Sequence, residues 1–332
     1  MEGESVLKKL GREVIAAALA FGALTLFCCL YSNIPVHYPD VDGATDYRWT
    51  ADTFYSQGTE GFSYGKTNNE GYHNMFDYEQ GNRVDVLVMG SSHMEAGNVA
   101  MEESAASRLN SLLKDKTVYN IGTSGHTFLI CADNLEKAVA KYQPTQYVVV
   151  EMNSVDFSDD ELAQAVDGLT PEIASYTGGI IGLLQRNQFL RLMYHQAQSY
   201  MAKGTEAESP SDTVSADMDH EKLLGDLLQK MKSEAEKCGA WVIIVYHPGV
   251  TVNSDGTMSV TGDLAAVRQL ERLCEGSGVY FLDMSGRFMQ EYEGDYTLPY
   301  GFANTSVGSG HLNKYGHAMI ADELYKLMSE VK

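Results

Sequence analysis

"VDVLVMGSSHMEAG", residues 84–97, decides how this chain is read. A short, mostly apolar run stops at Gly90 and is followed by Ser91 and Ser92. An apolar run of that length closed by glycine reads as a buried strand. In an open α/β sheet, ligands bind just beyond the carboxyl ends of the strands. The turn therefore either reverses the chain with small polar residues or lifts a hydroxyl nucleophile to the sheet edge.

The rest of the chain supplies the sheet. Helical spacing over 98–114 is followed by a strand at 117–122, a helix at 128–142 and a strand at 146–152. After an interruption come a helix at 221–239, a strand at 240–246, a helix at 262–278, a strand at 279–284 and a closing helix at 313–331. Regular strand–helix alternation predicts a central parallel sheet with helices on both faces, a three-layer α/β/α domain over 83–332. Residues 157–217 interrupt it. Their first part is helical and amphipathic, fit to cap the active face, dock a partner or pack; the polar run KGTEAESPSDTVSAD reads as a loop.

The N-terminal flank is of another kind. Val14 to Tyr31 is an uncharged run of 18 residues, and a helix of that length reaches ~27 Å, about one hydrocarbon core. Lys8, Lys9 and Arg12 precede it and the next Lys or Arg is Arg48, so residues 1–13 are expected in the cytoplasm and residues 32–332 outside. A cleaved signal peptide is the competing reading. Residues 32–82, rich in Tyr, Asn, Gly and Asp, read as a stalk and a loop-rich lead-in. Its aromatics either anchor it to the domain or line a substrate groove.

The chain carries 45 acidic against 24 basic residues, a net charge of −21. Such a surface is repelled by phosphate backbones, which argues against a nucleic-acid partner. Cys28 and Cys29 lie in the apolar segment; Cys131, Cys238 and Cys274 are isolated. No CxxC and no Cys/His cluster suggests zinc, and no cofactor fingerprint appears.

Four strand-end or helix-start loops carry chemistry. They hold Gly90-Ser91-Ser92; "NIGTSGHT" (120–127) with Gly125; "EMNSVDF" (151–157) with Asn153; and "GSGHLNKYGH" (308–317) with His311. A serine and a histidine brought together perform acyl transfer. The serine attacks a carbonyl while the imidazole takes its proton and returns it to the leaving group. Backbone N–H groups at Ser92 and Gly125, with the Asn153 amide, are suited to hold the developing oxyanion. His93 and His247 face the same edge as candidate substrate contacts. Glu151 and Asp156 lie on one strand end, with no second pair to support glycoside cleavage.

The order Ser…Gly…Asn…His resembles the SGNH (GDSL-type) hydrolases, over roughly 84–156 and 240–331. The resemblance implies a flavodoxin-like parallel sheet, Ser92 as nucleophile, His311 as general base and then acid, Gly125 and Asn153 in the oxyanion hole, and no cofactor. Two departures stand out. Only Asn153 remains of the Gly-x-Asn-Asp block, and the Asp-x-x-His block reads Gly308-Ser309-Gly310-His311, without its acid. Asp283, Asp295, a backbone carbonyl or an unassisted dyad are the options for orienting the imidazole. "GSSH" and "HLNKYGH" look more like anchored cell-surface members that edit or transfer acyl groups on envelope polymers. The expectation is a membrane-anchored, extracytoplasmic serine esterase or O-acyltransferase. Its substrate is an acylated, most simply acetylated, glycan or another ester, and a membrane acyltransferase is a partner of the transferase form. The alternative is a catalytically silent binding or scaffold protein on the same fold.

Overall fold

The computed structural model describes residues 6–35, 37–39, 45, 47–169, 182, 186–202 and 217–330. The polar run 203–216 and most of 170–185, which carry part of the expected insertion, lie outside them.

Three short apolar segments build the centre. β6 (Val86–Met89), β8 (Tyr147–Met152) and β9 (Trp241–Tyr246) are buried along almost their whole length. With β7 (Val118–Asn120) and β12 (Tyr280–Asp283) they form a five-stranded sheet, order β12-β9-β8-β6-β7. Every pairing in it is parallel. Counted in order of appearance this is 2-1-3-4-5, the flavodoxin-like arrangement, with the chain reversing direction across the sheet at β6 and β8.

Alternate side chains go to opposite faces, as the pleat requires. Leu87, Met89, Val148, Val150, Val242 and Ile244 enter one core, beneath α4 (Phe128–Tyr142), α5 (Asp159–Asp167), α7 (Asp217–Glu236) and α8 (Leu264–Ser277). Val86, Val88, Val149, Ile243 and Val245 enter the other, beneath α3 (Ala105–Leu113), α9 (Ser285–Asp295) and α10 (Lys314–Glu330). Both faces are covered, which is why the strands read as apolar runs rather than alternating ones. Capping fixes several helix starts. Thr127 caps α4, Ser158 and Glu161 form a capping box on α5, and Asp263 caps α8. The expected helix over 98–114 is shorter. Ser92–Glu95 form one helical turn, α2, and α3 begins after the Ser104 cap. A hairpin of β10 (Val250–Val252) and β11 (Met258–Val260), and helix α9, were not legible in the sequence.

The N-terminal helix α1 (Val6–Tyr31) is long and apolar enough to cross a membrane. The helical part of the insertion, α6 (Gln188–Ala202), lies along the C-terminal half of α1: Asn187 donates to Thr25 at 3.2 Å, and Phe189 meets Phe21 edge-on at 6.0 Å. The lead-in is more ordered than a stalk. β1 (Ser32–Asn33), β4 (Phe54–Gln57) and β5 (Ser63–Lys66) make a small antiparallel sheet, and β2 (His37–Pro39) pairs with β3 (Tyr47–Trp49). Tyr72, Phe76 and Tyr78 pack their rings on Tyr119, and the Glu70 carboxylate accepts from Tyr142 at 2.7 Å and pairs with Lys141 at 2.7 Å. These aromatics anchor the segment against the edge strand β7 and the C-terminal end of α4. Trp49 and Tyr55, from the same segment, line a cleft.

Candidate active site

The turn after β6 is built for its place. A Cβ on Gly90 would lie 2.7 Å from Glu151 Cβ and from Met94 Cγ, so only glycine lets the turn rest on the end of β8. Ser91 caps α2, its Oγ accepting from the His93 N–H at 3.2 Å. Ser92 is thereby the first helical residue and its side chain projects beyond the sheet.

Ser92 Oγ lies 2.8 Å from His311 Nε2. The imidazole comes from the loop before α10, 219 positions away in the chain. His311 Nδ1 lies 2.6 Å from Glu60 Oε2, and the His311 backbone N–H donates to Glu60 Oε1 at 2.8 Å. One carboxylate thus fixes both the backbone and the ring of His311. Burial pushes the Glu60 carboxyl up, but the hydrogen bonds and charge of His311 outweigh this and hold it below its ordinary value.

Glu60 corrects the expectation for the acid. Asp283 accepts from the Ser285 N–H and hydroxyl, Asp295 accepts from the Thr297 N–H, both are exposed, and neither reaches His311. The reason is topological. Each of these carboxylates caps the chain two residues ahead of it, while the lead-in crosses the sheet edge and inserts Glu60. Asn304 secures that turn, accepting from the Gly61 N–H at 2.9 Å and donating to the carbonyls of Gly58 and Gly61 at 2.9 and 2.8 Å. No sequence signal pointed to Glu60, which carries no motif and lies 251 positions from His311.

Ser92 and His311 open on a cleft of about 110 Å³ lined by Ile34, Trp49, Tyr55, Glu95, Asn98 and Ser124 among others. Glu95 is buried and accepts from the Ser124 hydroxyl. Gly125 sits beside Ser124 on an exposed turn with φ of +88°, the left-handed region that favours glycine. Among the described residues the backbone N–H groups of Ser92 and Gly125 donate to no protein group. A second glycine of that loop, Gly122, is the more tightly enclosed: a Cβ there would lie 2.6 Å from the Glu95 nitrogen.

Asn153 lies elsewhere. It is exposed and lines an adjacent polar cavity of about 320 Å³ with His93, Thr261, Tyr300 and Ser309, not the cleft of Ser92. His93 lies between the two, its ring 5.2 Å from that of His311, and its Nδ1 accepts from the Leu312 N–H at 3.2 Å. Burial, and then the neighbouring His247, push His93 down to about 3, so it stays neutral beside His311. His247 at the floor of that cavity is fully buried, with both ring nitrogens hydrogen-bonded within the protein. Expected as a substrate contact, it lines that cavity only from its floor, with its ring nitrogens committed to Tyr300 and Glu151.

Fold and site together define a class: a flavodoxin-like α/β domain with a serine, a histidine and a carboxylate in hydrogen-bonded sequence at the switch point of its sheet. That is the arrangement implied by the resemblance to the SGNH hydrolases, with Glu60 in place of the expected acid. No family model and no curated protein matches the chain. Solved structures do. An acetyl xylan esterase, AlAXEase, is 16% identical over 73% of this chain and 98% of its own, with a TM-score of 0.42. A member of the lipolytic G-D-S-L family from Veillonella parvula is 12% identical over 74% of this chain and 98% of its own, with a TM-score of 0.41. The structure titled TesA is 13% identical over 74% of this chain and 99% of its own, with a TM-score of 0.38.

Proposed function

We propose that this chain is a membrane-anchored, extracytoplasmic serine esterase or O-acyltransferase working through an acyl-Ser92 intermediate. The observation that carries the reading is the unbroken relay Ser92 Oγ, His311, Glu60, with contacts of 2.8 and 2.6 Å. Ser92 Oγ attacks the ester carbonyl and gives its proton to His311 Nε2. The Glu60 carboxylate holds the imidazole in the tautomer that accepts there and stabilises the imidazolium as it forms. The N–H groups of Ser92 and Gly125 receive the oxyanion, each donor lowering the barrier by ~3–4 kcal/mol. The imidazolium returns its proton to the departing alkoxide. Water, or a sugar hydroxyl in the transferase form, then gives its proton to His311 and attacks the acyl carbonyl; the acyl bond to Ser92 Oγ breaks as His311 returns the proton to that oxygen, which restores the free enzyme. The polar cavity beside His93 is suited to hold such an acceptor. The apolar helix, with its preceding basic residues, favours an anchor that leaves the active face outside the cell, and acylated glycan of the envelope is the substrate class proposed there.

A fluorophosphonate probe followed by mass spectrometry tests this. Label is expected on Ser92, retained in Ser91→Ala and lost in Ser92→Ala, with aryl acetate hydrolysis following the same pattern. Label on Ser91, or an inert protein, overturns the reading. Hydrolysis that rises steeply only when a glycan acceptor is added distinguishes transfer from simple esterase activity.

A further inference from the structure

Behind the relay lies a second set of buried polar groups that it does not use. Glu151, next to last in β8, and His247, the first residue after β9, are 2% and 0% exposed in an otherwise apolar sheet edge. His247 Nε2 is 2.7 Å from Glu151 Oε1. The other carboxylate oxygen accepts from the Ser91 N–H at 2.6 Å. On the far side, His247 Nδ1 is 2.8 Å from Tyr300 Oη, and that hydroxyl donates to the Pro248 carbonyl at 2.7 Å. Tyr300 bridges Leu312, and the next residue, Gly301, donates from its N–H to the His311 carbonyl at 2.9 Å.

These contacts make a continuous path. It starts at the backbone N–H next to Ser92 and ends on the backbone of His311. It runs beneath the site, through the ends of two central strands, and involves none of the groups that face the cleft. Burial pushes the Glu151 carboxyl up, but His247, then His93 and the Ser91 N–H, hold it at about 2. A carboxylate only accepts, so His247 Nε2 donates to it. A charged, fully hydrogen-bonded group of this kind is costly to bury and holds its partners to narrow geometry.

We infer that Glu151, His247 and Tyr300 form a clamp that sets the position of Ser92 relative to His311, so that they act as positioning residues for the reaction. The inference rests on the esterase reading above. Two loops 219 positions apart must deliver two atoms to 2.8 Å. A misplacement of ~1 Å at such a pair costs up to ~100-fold in rate. The sheet alone fixes strand ends; the clamp ties the loops that follow them.

The test uses the full-length chain in detergent and reads fluorophosphonate labelling rate at Ser92, kcat and KM on an aryl acetate, and thermal melting. Glu151→Gln keeps the shape of the side chain and removes its charge. Its labelling rate and kcat are expected to fall about tenfold or more, with KM within about twofold, at temperatures well below its melting point. Tyr300→Phe removes only the hydroxyl and is expected to lose about threefold in the same two quantities. It carries the test by itself if Glu151→Gln does not fold. Folded variants that melt earlier yet label at the wild-type rate have lost only stability, and that overturns the clamp. A wild-type protein that takes no label overturns the esterase reading itself and the clamp with it.

Discussion

Two regions meet at Ser92 and reached it by opposite routes. The sheet domain, from β6 onward, is regular: apolar strands, capped helices, each element placed by its neighbour. The lead-in, residues 47–82, has strands of three or four residues and no hydrophobic period. Yet it supplies Glu60 to His311, and Trp49 and Tyr55 to the cleft wall. The difference teaches that a relay can be assembled from one part held by periodic packing and another held by single polar contacts such as those of Asn304. Packing is spread over many residues and tolerates change. A turn held by the side chains of Asn304 and Asn98 does not.

The comparison breaks most completely on the sheet side. Ser92→Ala is expected to abolish covalent labelling and to lower ester hydrolysis by ~10⁴-fold or more, measured as kcat on an aryl acetate. Next in size is the contribution of the lead-in. Glu60→Gln is expected to lower kcat by ~10³-fold while Asp283→Asn and Asp295→Asn stay at the wild-type rate, which steady-state kinetics on the three variants checks. An active Glu60→Gln would return the imidazole to one of its other options.

Stability divides the regions again. The Glu151 carboxyl titrates at about 2 in the folded chain, below its ordinary 4.5. A carboxyl depressed by folding adds stability that is in place above the ordinary value and is lost as pH falls toward the folded one. Glu151→Gln is therefore expected to lower stability by ~3–5 kcal/mol near neutral pH, with the gap to wild type narrowing as pH falls from about 4.5 toward 2. Chemical denaturation at a series of pH values measures it. The smallest effect sharpens the contrast: Asn304→Ala loosens only the Glu60 turn. It is expected to cost ~1–2 kcal/mol in melting and several-fold in kcat, with KM little changed.

The parallel sheet, all its covering helices but α9, and the membrane-length N-terminal helix could be read from residue order alone. Burial on both faces leaves apolar runs, and helix faces leave a period, so β6, β8, β9, α4 and α10 stand out. Ser92 and His311 could be singled out because they sit at strand and helix boundaries, where the fold class puts its chemistry. Glu60 could not. It lies in a stretch without period, and its pairing with His311 spans 251 positions. Nor could His247 be told from a substrate contact, since a histidine after a strand looks the same whether it faces solvent or a buried carboxylate. Asn153 followed the family order but opens on the neighbouring cavity, a matter of how one loop turns after β8.

Residue order specifies the layered α/β core, because local hydrophobic patterning is a property of nearby residues. It also determined which turn carries the serine. Which carboxylate meets the imidazole, and which histidine is buried beneath the site, follow from the folded arrangement. Those choices depend on where distant backbone segments cross the sheet edge, and hydrogen bonds across such distances leave no period in the chain.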